Sequence, residues 1–194
     1  MKDSIFNVPN CISILRIMMI PALLVLAWQR QPIFTALLTT VLLMDILDGY
    51  LARRLNQQTR LGAQLDSWGD FLTVLVYPFA GVWLRPEATR ELVPYAVLAG
   101  IAYLSPIIFG FIKFGRLTSY HTRLMTIAAY VMGAAMISFF AGWSDLPFRL
   151  GCLVLLVAQI EEILISAVLP TWRENISGFR CALRLRNAWR STQR

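Results

Sequence analysis

The chain has 194 residues, of which 57% are hydrophobic and 15% are charged, and its formal net charge is +7. This composition is too apolar for a water-soluble domain of this length and indicates an integral membrane protein. The three cysteines, Cys11, Cys152 and Cys181, lack the spacing of a metal site or a disulfide framework, so we expect reduced, structural thiols.

Six apolar stretches of spanning length follow one another along the chain. They cover residues 11–28, 33–52, 61–83, 92–112, 122–141 and 148–169, each close to the roughly 20 residues that cross a bilayer as a helix. The segment before the first stretch lacks the features of a cleaved signal peptide, so we expect that stretch to be retained as a span. The short connections predict an all-α integral membrane protein with six transmembrane helices in one compact bundle.

The lysines and arginines predict the orientation of these helices. With six spans both termini lie on one side, and only four of the 18 basic residues fall on the other side, namely Arg30, Arg85, Arg90 and Arg149. The positive-inside rule therefore places both termini in the cytoplasm. This asymmetry explains the net charge without a nucleic-acid partner. We divide the chain into a catalytic membrane domain, 1–170, and a basic cytoplasmic tail, 171–194, which lies on anionic headgroups or binds a partner.

Four acids lie inside the second and third apolar stretches. Asp45 and Asp48 are three residues apart, and Asp66 and Asp70 are four apart, so each pair projects from one face of its helix. Carboxylates at membrane depth are costly and usually face a cavity, an ion or each other. Counting inward from the basic helix ends puts Asp48 and Asp66 at one level near the cytoplasmic interface. Two such helices side by side would form a cage of four carboxylates.

An oxygen-rich cage of this kind suits Mg²⁺ or Mn²⁺, which commonly complete their shell with substrate phosphates. Two such ions would neutralise a diphosphate, and a carboxylate not consumed by metal would accept a proton from an attacking hydroxyl. Arg53, at the mouth of the helix, is placed to contact a phosphate. The alternative is that the acids form structural salt bridges and the small residues beside them allow close helix packing.

At these residues the sequence resembles the CDP-alcohol phosphotransferase family, whose signature is D-x2-D-G-x2-A-R, about eight further residues, and G-x3-D-x3-D. Every fixed position is filled here, by Asp45, Asp48, Gly49, Ala52, Arg53, Gly62, Asp66 and Asp70. The family also tends to open its first span with P-N-x2-[ST]-x2-R, which is matched by Pro9, Asn10, Ser13 and Arg16. The resemblance covers about residues 5–170 and leaves out the tail.

The resemblance implies a membrane enzyme of phospholipid biosynthesis that transfers a phosphatidyl group from CDP-diacylglycerol to an alcohol and releases CMP. It implies that two Mg²⁺ or Mn²⁺ ions are held by Asp45, Asp48, Asp66 and Asp70, with Asp70 also acting as the catalytic base. The residues that would contact the CDP-lipid are Asn10, Ser13, Gly49, Arg53 and Thr59. A homodimer is implied as well, and we expect it in the bacterial inner (plasma) membrane with its active site facing the cytoplasm.

The acceptor alcohol is predicted to bind at the connection 113–123, where the family tends to bind it. The candidate residues there are Lys113, Arg116, His121 and Arg123. Their cations suit a phosphorylated alcohol such as glycerol 3-phosphate or inositol phosphate. They are equally explained as ordinary positive-inside residues at helix ends. The segment departs from the G-K-x-K-T-T pattern associated with phosphatidylglycerophosphate synthases, which weakens that assignment.

Two other functions are compatible with acids in membrane helices. An intramembrane prenyltransferase-like enzyme also binds Mg²⁺-diphosphate, but usually through two separated acidic motifs and more spans. A divalent-cation transporter would carry its acids nearer the bilayer midplane and without arginines beside them. Glu161 and Glu162 lie within the sixth stretch, and we expect one of them to pair with Arg16 or with an acceptor-site arginine.

Overall fold

The computed structural model describes residues 7–115, 122–169, 176 and 178–192, with side chains described as far as residue 186. Within these ranges the chain is all-helical and has no strand. The helices are α1 (Val8–Trp28), α2 (Phe34–Arg54), α3 (Arg60–Leu84), α4 (Pro86–Phe114), α5 (Arg123–Phe140), α6 (Leu146–Val168) and α7 (Phe179–Thr192). The predicted residues Arg116 and His121 lie outside the described residues.

The first six helices coincide with the six apolar stretches predicted from the sequence, and their ends differ by at most six residues. Five of the described helices are long and apolar enough to cross a membrane, namely α1, α2, α4, α5 and α6. Helix α3 is not among them, and it carries Asp66 and Asp70 in its first half. The all-helical membrane class is therefore confirmed, and the six-span topology stays a prediction.

The helices group into two compact units, Met1–Arg90 and Glu91–Arg194. In the first unit α1 packs along both α2 and α3. Side-chain caps begin two of these helices: Asn7 Oδ1 accepts from the backbone N–H of Asn10 at 3.1 Å, and Thr59 Oγ1 accepts from that of Gly62 at 2.9 Å. Such caps satisfy N–H groups that have no partner within the helix. They fix where α1 and α3 start.

In the second unit α5 packs along α6, and α7 packs against α6. The sequence analysis did not predict α7 as a helix. Its apolar side is buried in a core of Ile165, Leu169, Ile176 and Ala182, with Phe114, Phe179, Cys181 and Leu185 around it. The start of α7 is held by Glu161, whose Oε1 accepts from the N–H of Phe179 at 3.1 Å. The placement of the tail on lipid headgroups stays a prediction.

Candidate active site

Three of the four predicted acids converge in the first unit. One oxygen from each of Asp45, Asp48 and Asp66 lies within 4.8 Å of the other two, and we call these residues the carboxylate cluster. Asp48 is buried, whereas the side chains of Asp45 and Asp66 are 32% and 49% exposed. Three carboxylates held this close repel one another, so the cluster requires positive charge nearby.

Part of that charge comes from Arg16 on α1, which is 1% exposed. Its Nη1 pairs with Asp45, and its Nη2 lies 3.0 Å from the backbone carbonyl of Asp66 and 3.5 Å from the Oδ1 of that residue. The sequence analysis treated Arg16 as a motif residue and as a partner for Glu161 or Glu162. The signal it left unused was an arginine inside an apolar helix, which needs an anionic partner.

The fourth acid, Asp70, lies outside the carboxylate cluster. Its Oδ1 accepts from Nη1 of Arg16 at 3.1 Å, and its side chain is 58% exposed. The predicted cage of four carboxylates therefore consists of a three-acid cluster and a fourth acid that is joined to it through Arg16. The sequence analysis predicted that acids of α2 and α3 approach one another, but it placed the two helices side by side and did not predict that α1 packs along both of them.

A cavity of about 250 Å³ opens beside the cluster. Its wall includes Asp48 and Asp66, so the cavity and the cluster are continuous. All five residues that the resemblance relates to the CDP-lipid line it, and the full lining is Pro9, Asn10, Ser13, Asp48, Gly49, Ala52, Arg53, Gln57, Gln58, Thr59, Gly62, Ala63 and Asp66. The sequence analysis did not single out Gln57, Gln58 or Ala63, which have no motif to mark them.

The polar atoms of the cavity wall are linked to one another. The hydroxyl of Ser13 donates to Oδ2 of Asp48 at 2.6 Å, and that of Thr59 lies 3.4 Å from Oδ1 of Asn10. The exposed Arg53 contributes the positive charge of the cavity wall. The cavity thus combines a carboxylate edge, neutral hydrogen-bonding groups and one cation, which is a suitable lining for a phosphorylated ligand that arrives with a metal ion.

The carboxylate cluster fits a hard divalent cation. Its donors are carboxylate oxygens carried on helices, and the adjoining cavity leaves space for phosphate oxygens, which Mg²⁺ and Mn²⁺ accept as further ligands. Asp45, Asp48 and Asp66 are the residues that would hold the ion.

Two of the predicted acceptor residues, Lys113 and Arg123, belong to the second unit. Lys113 donates to three carbonyls at the end of α6, those of Ser166, Ala167 and Leu169, at 2.8, 2.8 and 3.0 Å. An ammonium has three donors, so this side chain is fully used as a helix cap. Contact with an acceptor would require it to leave these carbonyls. Arg123 is exposed at the first position of α5.

Comparison with known proteins identifies relatives of this chain. A transferase from Aquifex aeolicus (strain VF5) is 40% identical over 78 residues, which are 38% of this chain and 44% of the relative. One from Pseudomonas fluorescens is 35% identical over 116 residues, 50% of this chain and 57% of the relative. Both are named CDP-diacylglycerol--glycerol-3-phosphate 3-phosphatidyltransferase, and the chain thus spans about half the length of each.

A longer alignment relates the chain to the inner membrane protein YnbA of Escherichia coli (strain K12). The two are 29% identical over 150 residues, which are 72% of this chain and 73% of the relative. No solved structure matches the chain. The family described as CDP-alcohol phosphatidyltransferase matches residues 6–158, a range that contains the carboxylate cluster and the whole cavity lining. The chain therefore belongs to the CDP-alcohol phosphatidyltransferase family.

Proposed function

We propose that this integral membrane protein transfers the phosphatidyl group of CDP-diacylglycerol to an alcohol acceptor and releases CMP, as a step of phospholipid synthesis. The observation that carries the proposal is the continuity of the cavity with the carboxylate cluster. The two are joined through Asp48 and Asp66, and the cavity has room and polar groups for a nucleotide diphosphate. Family membership and the names of the two transferases support the same reaction.

In this proposal the four aspartates hold two Mg²⁺ or Mn²⁺ ions. Such ions, when bound, neutralise the diphosphate and stabilise the charge on the departing CMP. The guanidinium of Arg53 binds a phosphate oxygen at the cavity wall. Asn10, Ser13 and Thr59 orient the cytidine end of the donor through hydrogen bonds, and Gly49 leaves space for it beside α2.

The transfer is a single displacement at phosphorus. The acceptor oxygen attacks the phosphorus atom of the phosphatidyl group, a new P–O bond forms, and the P–O bond to CMP breaks. The hydroxyl proton passes to Asp70, which we propose as the general base. Its side chain is half-exposed and lies outside the three-acid cluster, so it is accessible to an incoming hydroxyl.

For the acceptor we propose a phosphorylated alcohol, with glycerol 3-phosphate first and inositol phosphate second. The names of the two transferases support glycerol 3-phosphate. The proposed acceptor residues are Arg116, His121 and the exposed Arg123. The hydrogen bonds of Lys113 favour a capping role for that residue.

We further propose the arrangement of the protein in its membrane. It has six spans, both termini and the cavity on the cytoplasmic side, and works as a homodimer in a bacterial inner membrane. The asymmetry of the basic residues supports this orientation, and the similarity to an inner membrane protein supports the location.

The test is CMP release by the purified protein with CDP-diacylglycerol, Mg²⁺ or Mn²⁺, and a panel of glycerol 3-phosphate, inositol phosphate, inositol, serine and phosphatidylglycerol. We expect CMP with a phosphorylated acceptor, and none after EDTA. CMP formation separates this function from a divalent-cation transporter and a prenyltransferase, neither of which produces it. A folded, metal-binding protein that releases no CMP with any acceptor of the panel would contradict the proposal.

A further inference from the structure

The guanidinium of Arg16 lies so close to the backbone of Gly69 that only a glycine leaves room for it. Where α1 crosses α3, a Cβ built on Gly69 would lie 2.7 Å from both Cζ and Nε of Arg16, closer than real Cβ contacts come. Gly69 is itself buried in α3. The guanidinium is thus wedged between the α3 backbone and the carboxylates, and it cannot withdraw towards α3.

From this position beside Gly69 the guanidinium contacts three acids. It pairs with Asp45 of α2 and with Asp66 and Asp70 of α3, so it bridges the two acid-bearing helices from α1. Two of the three, Asp45 and Asp66, also belong to the carboxylate cluster that would hold a metal ion. The remaining acid of the carboxylate cluster, Asp48, accepts a hydrogen bond from the neutral hydroxyl of Ser13.

We propose that Arg16 is a fixed counter-cation of the carboxylate cluster, a positioning residue that keeps the acids together without metal and weakens metal binding. The inference rests on the proposed metal-dependent function. The guanidinium of Arg16 is held between the acids and Gly69, so its positive charge stays beside the acids when a metal arrives. A divalent ion at the cluster would share two carboxylates with this charge and be repelled by it. The metal is then exchangeable, while the metal-free cluster stays assembled.

The direct test is to remove the charge in Arg16→Met and Arg16→Gln. Mn²⁺ affinity is measured by titration of the purified protein with detection of free Mn²⁺ by electron paramagnetic resonance. The melting temperature is measured in EDTA and in saturating Mn²⁺. We expect Mn²⁺ to bind on the order of tenfold tighter, because the repulsion between the guanidinium and the ion is removed. A tenfold change in affinity corresponds to about 1.4 kcal/mol. In EDTA the variants should have a lower melting temperature than the wild type. Saturating Mn²⁺ should raise their melting temperature by more than it raises that of the wild type.

The matched control is Arg54→Met, which removes one positive charge from the end of α2, where Arg54 is exposed and bonded to the hydroxyl of Tyr50. It should leave Mn²⁺ affinity within about twofold of the wild type, because exposed charges are well screened. A change equal to that in Arg16→Met would overturn the inference, since net charge alone would then explain it.

A second variant leaves the charge present and moves it. In Gly69→Ala the new methyl group displaces the guanidinium from its position beside α3. We therefore expect Mn²⁺ to bind more tightly than in the wild type, as in Arg16→Met. Gly100→Ala is its control, because a Cβ there meets no atom within 4 Å. If Arg16→Met does not fold even with Mn²⁺, Gly69→Ala decides the inference alone.

Unchanged or weaker Mn²⁺ binding in Gly69→Ala and in the folded Arg16 variants would overturn the inference, and CMP release by the wild type would leave the proposed function standing. A wild-type protein that binds no Mn²⁺ and releases no CMP would overturn both.

Discussion

Asn10 of α1 lies directly against Gly62 of α3 at the wall of the cavity. A Cβ built on Gly62 would lie 2.7 Å from Oδ1 of Asn10 and 3.1 Å from Oγ1 of Thr59. Asn10 is 1% exposed, so it has little room to move away. The glycine thus permits a close approach of the two helix starts, and this approach shapes the part of the cavity that we relate to the CDP-lipid.

Gly62→Ala is expected to displace Asn10 and distort this wall. We predict that the KM for CDP-diacylglycerol rises about tenfold, because small misplacements of binding groups have large kinetic effects. The measurement is CMP release against donor concentration, with Gly100→Ala as the control. A Gly62→Ala enzyme with the KM of the wild type would show that the wall beside Asn10 does not contact the donor.

Ser13 stabilises the most buried acid of the cluster. Ser13→Ala removes the 2.6 Å bond to Asp48 and leaves a buried carboxylate oxygen without that donor. We expect a loss of about 1–3 kcal/mol of stability in EDTA, seen as a lower melting temperature. Ser105→Ala is the control, because the hydroxyl of Ser105 donates within its own helix α4, to the carbonyl of Ala102. Equal melting of the two variants would rule out a role of the Ser13 bond in stability.

Asp70 and Asp48 are predicted to differ when each is changed to asparagine. Asp70→Asn should reduce kcat by roughly 10²–10⁴-fold, as for the loss of a general base, while at least one Mn²⁺ still binds. Asp48→Asn should lose Mn²⁺ binding and turnover together, because Asp48 belongs to the three-acid cluster. Kinetics and Mn²⁺ titration on both variants make the comparison. Turnover at the wild-type rate in Asp70→Asn would remove Asp70 from the mechanism.

Lys113 is predicted to act in stability rather than in acceptor binding. Lys113→Met leaves three carbonyls at the end of α6 without this donor, and we expect stability to fall by about 1–2 kcal/mol. Lys113→Arg, which keeps a charge and donors, should recover part of the loss. The KM for the acceptor should stay at the wild-type value in both. A raised acceptor KM with unchanged melting would instead support the acceptor role predicted from the sequence.

The positions of the acids and of the six long helices were predictable from the sequence. Hydrophobic stretches of about 20 residues and carboxylates at three- and four-residue spacing depend on local geometry, which the chain itself carries. Asn10, Ser13, Gly49, Arg53 and Thr59, which the resemblance relates to the CDP-lipid, all line the cavity, and their contact with that ligand stays a prediction. Helix α7 escaped prediction because its short apolar face is interrupted by arginines and is buried against residues distant in the sequence, such as Ile165 of α6.

What the sequence determined by itself was the class of the protein, the extent of its first six helices and the acids that approach one another. Only the tertiary structure decided how those acids are neutralised. Arg16 reaches Asp66 and Asp70 from positions 50 and 54 residues away in the chain, and Lys113 caps a helix 53 residues downstream of it. Helical periodicity predicts which side chains share a face of a helix. Which other helix packs against that face depends on contacts between distant segments, and the space that Gly69 leaves for the guanidinium of Arg16 is one such case.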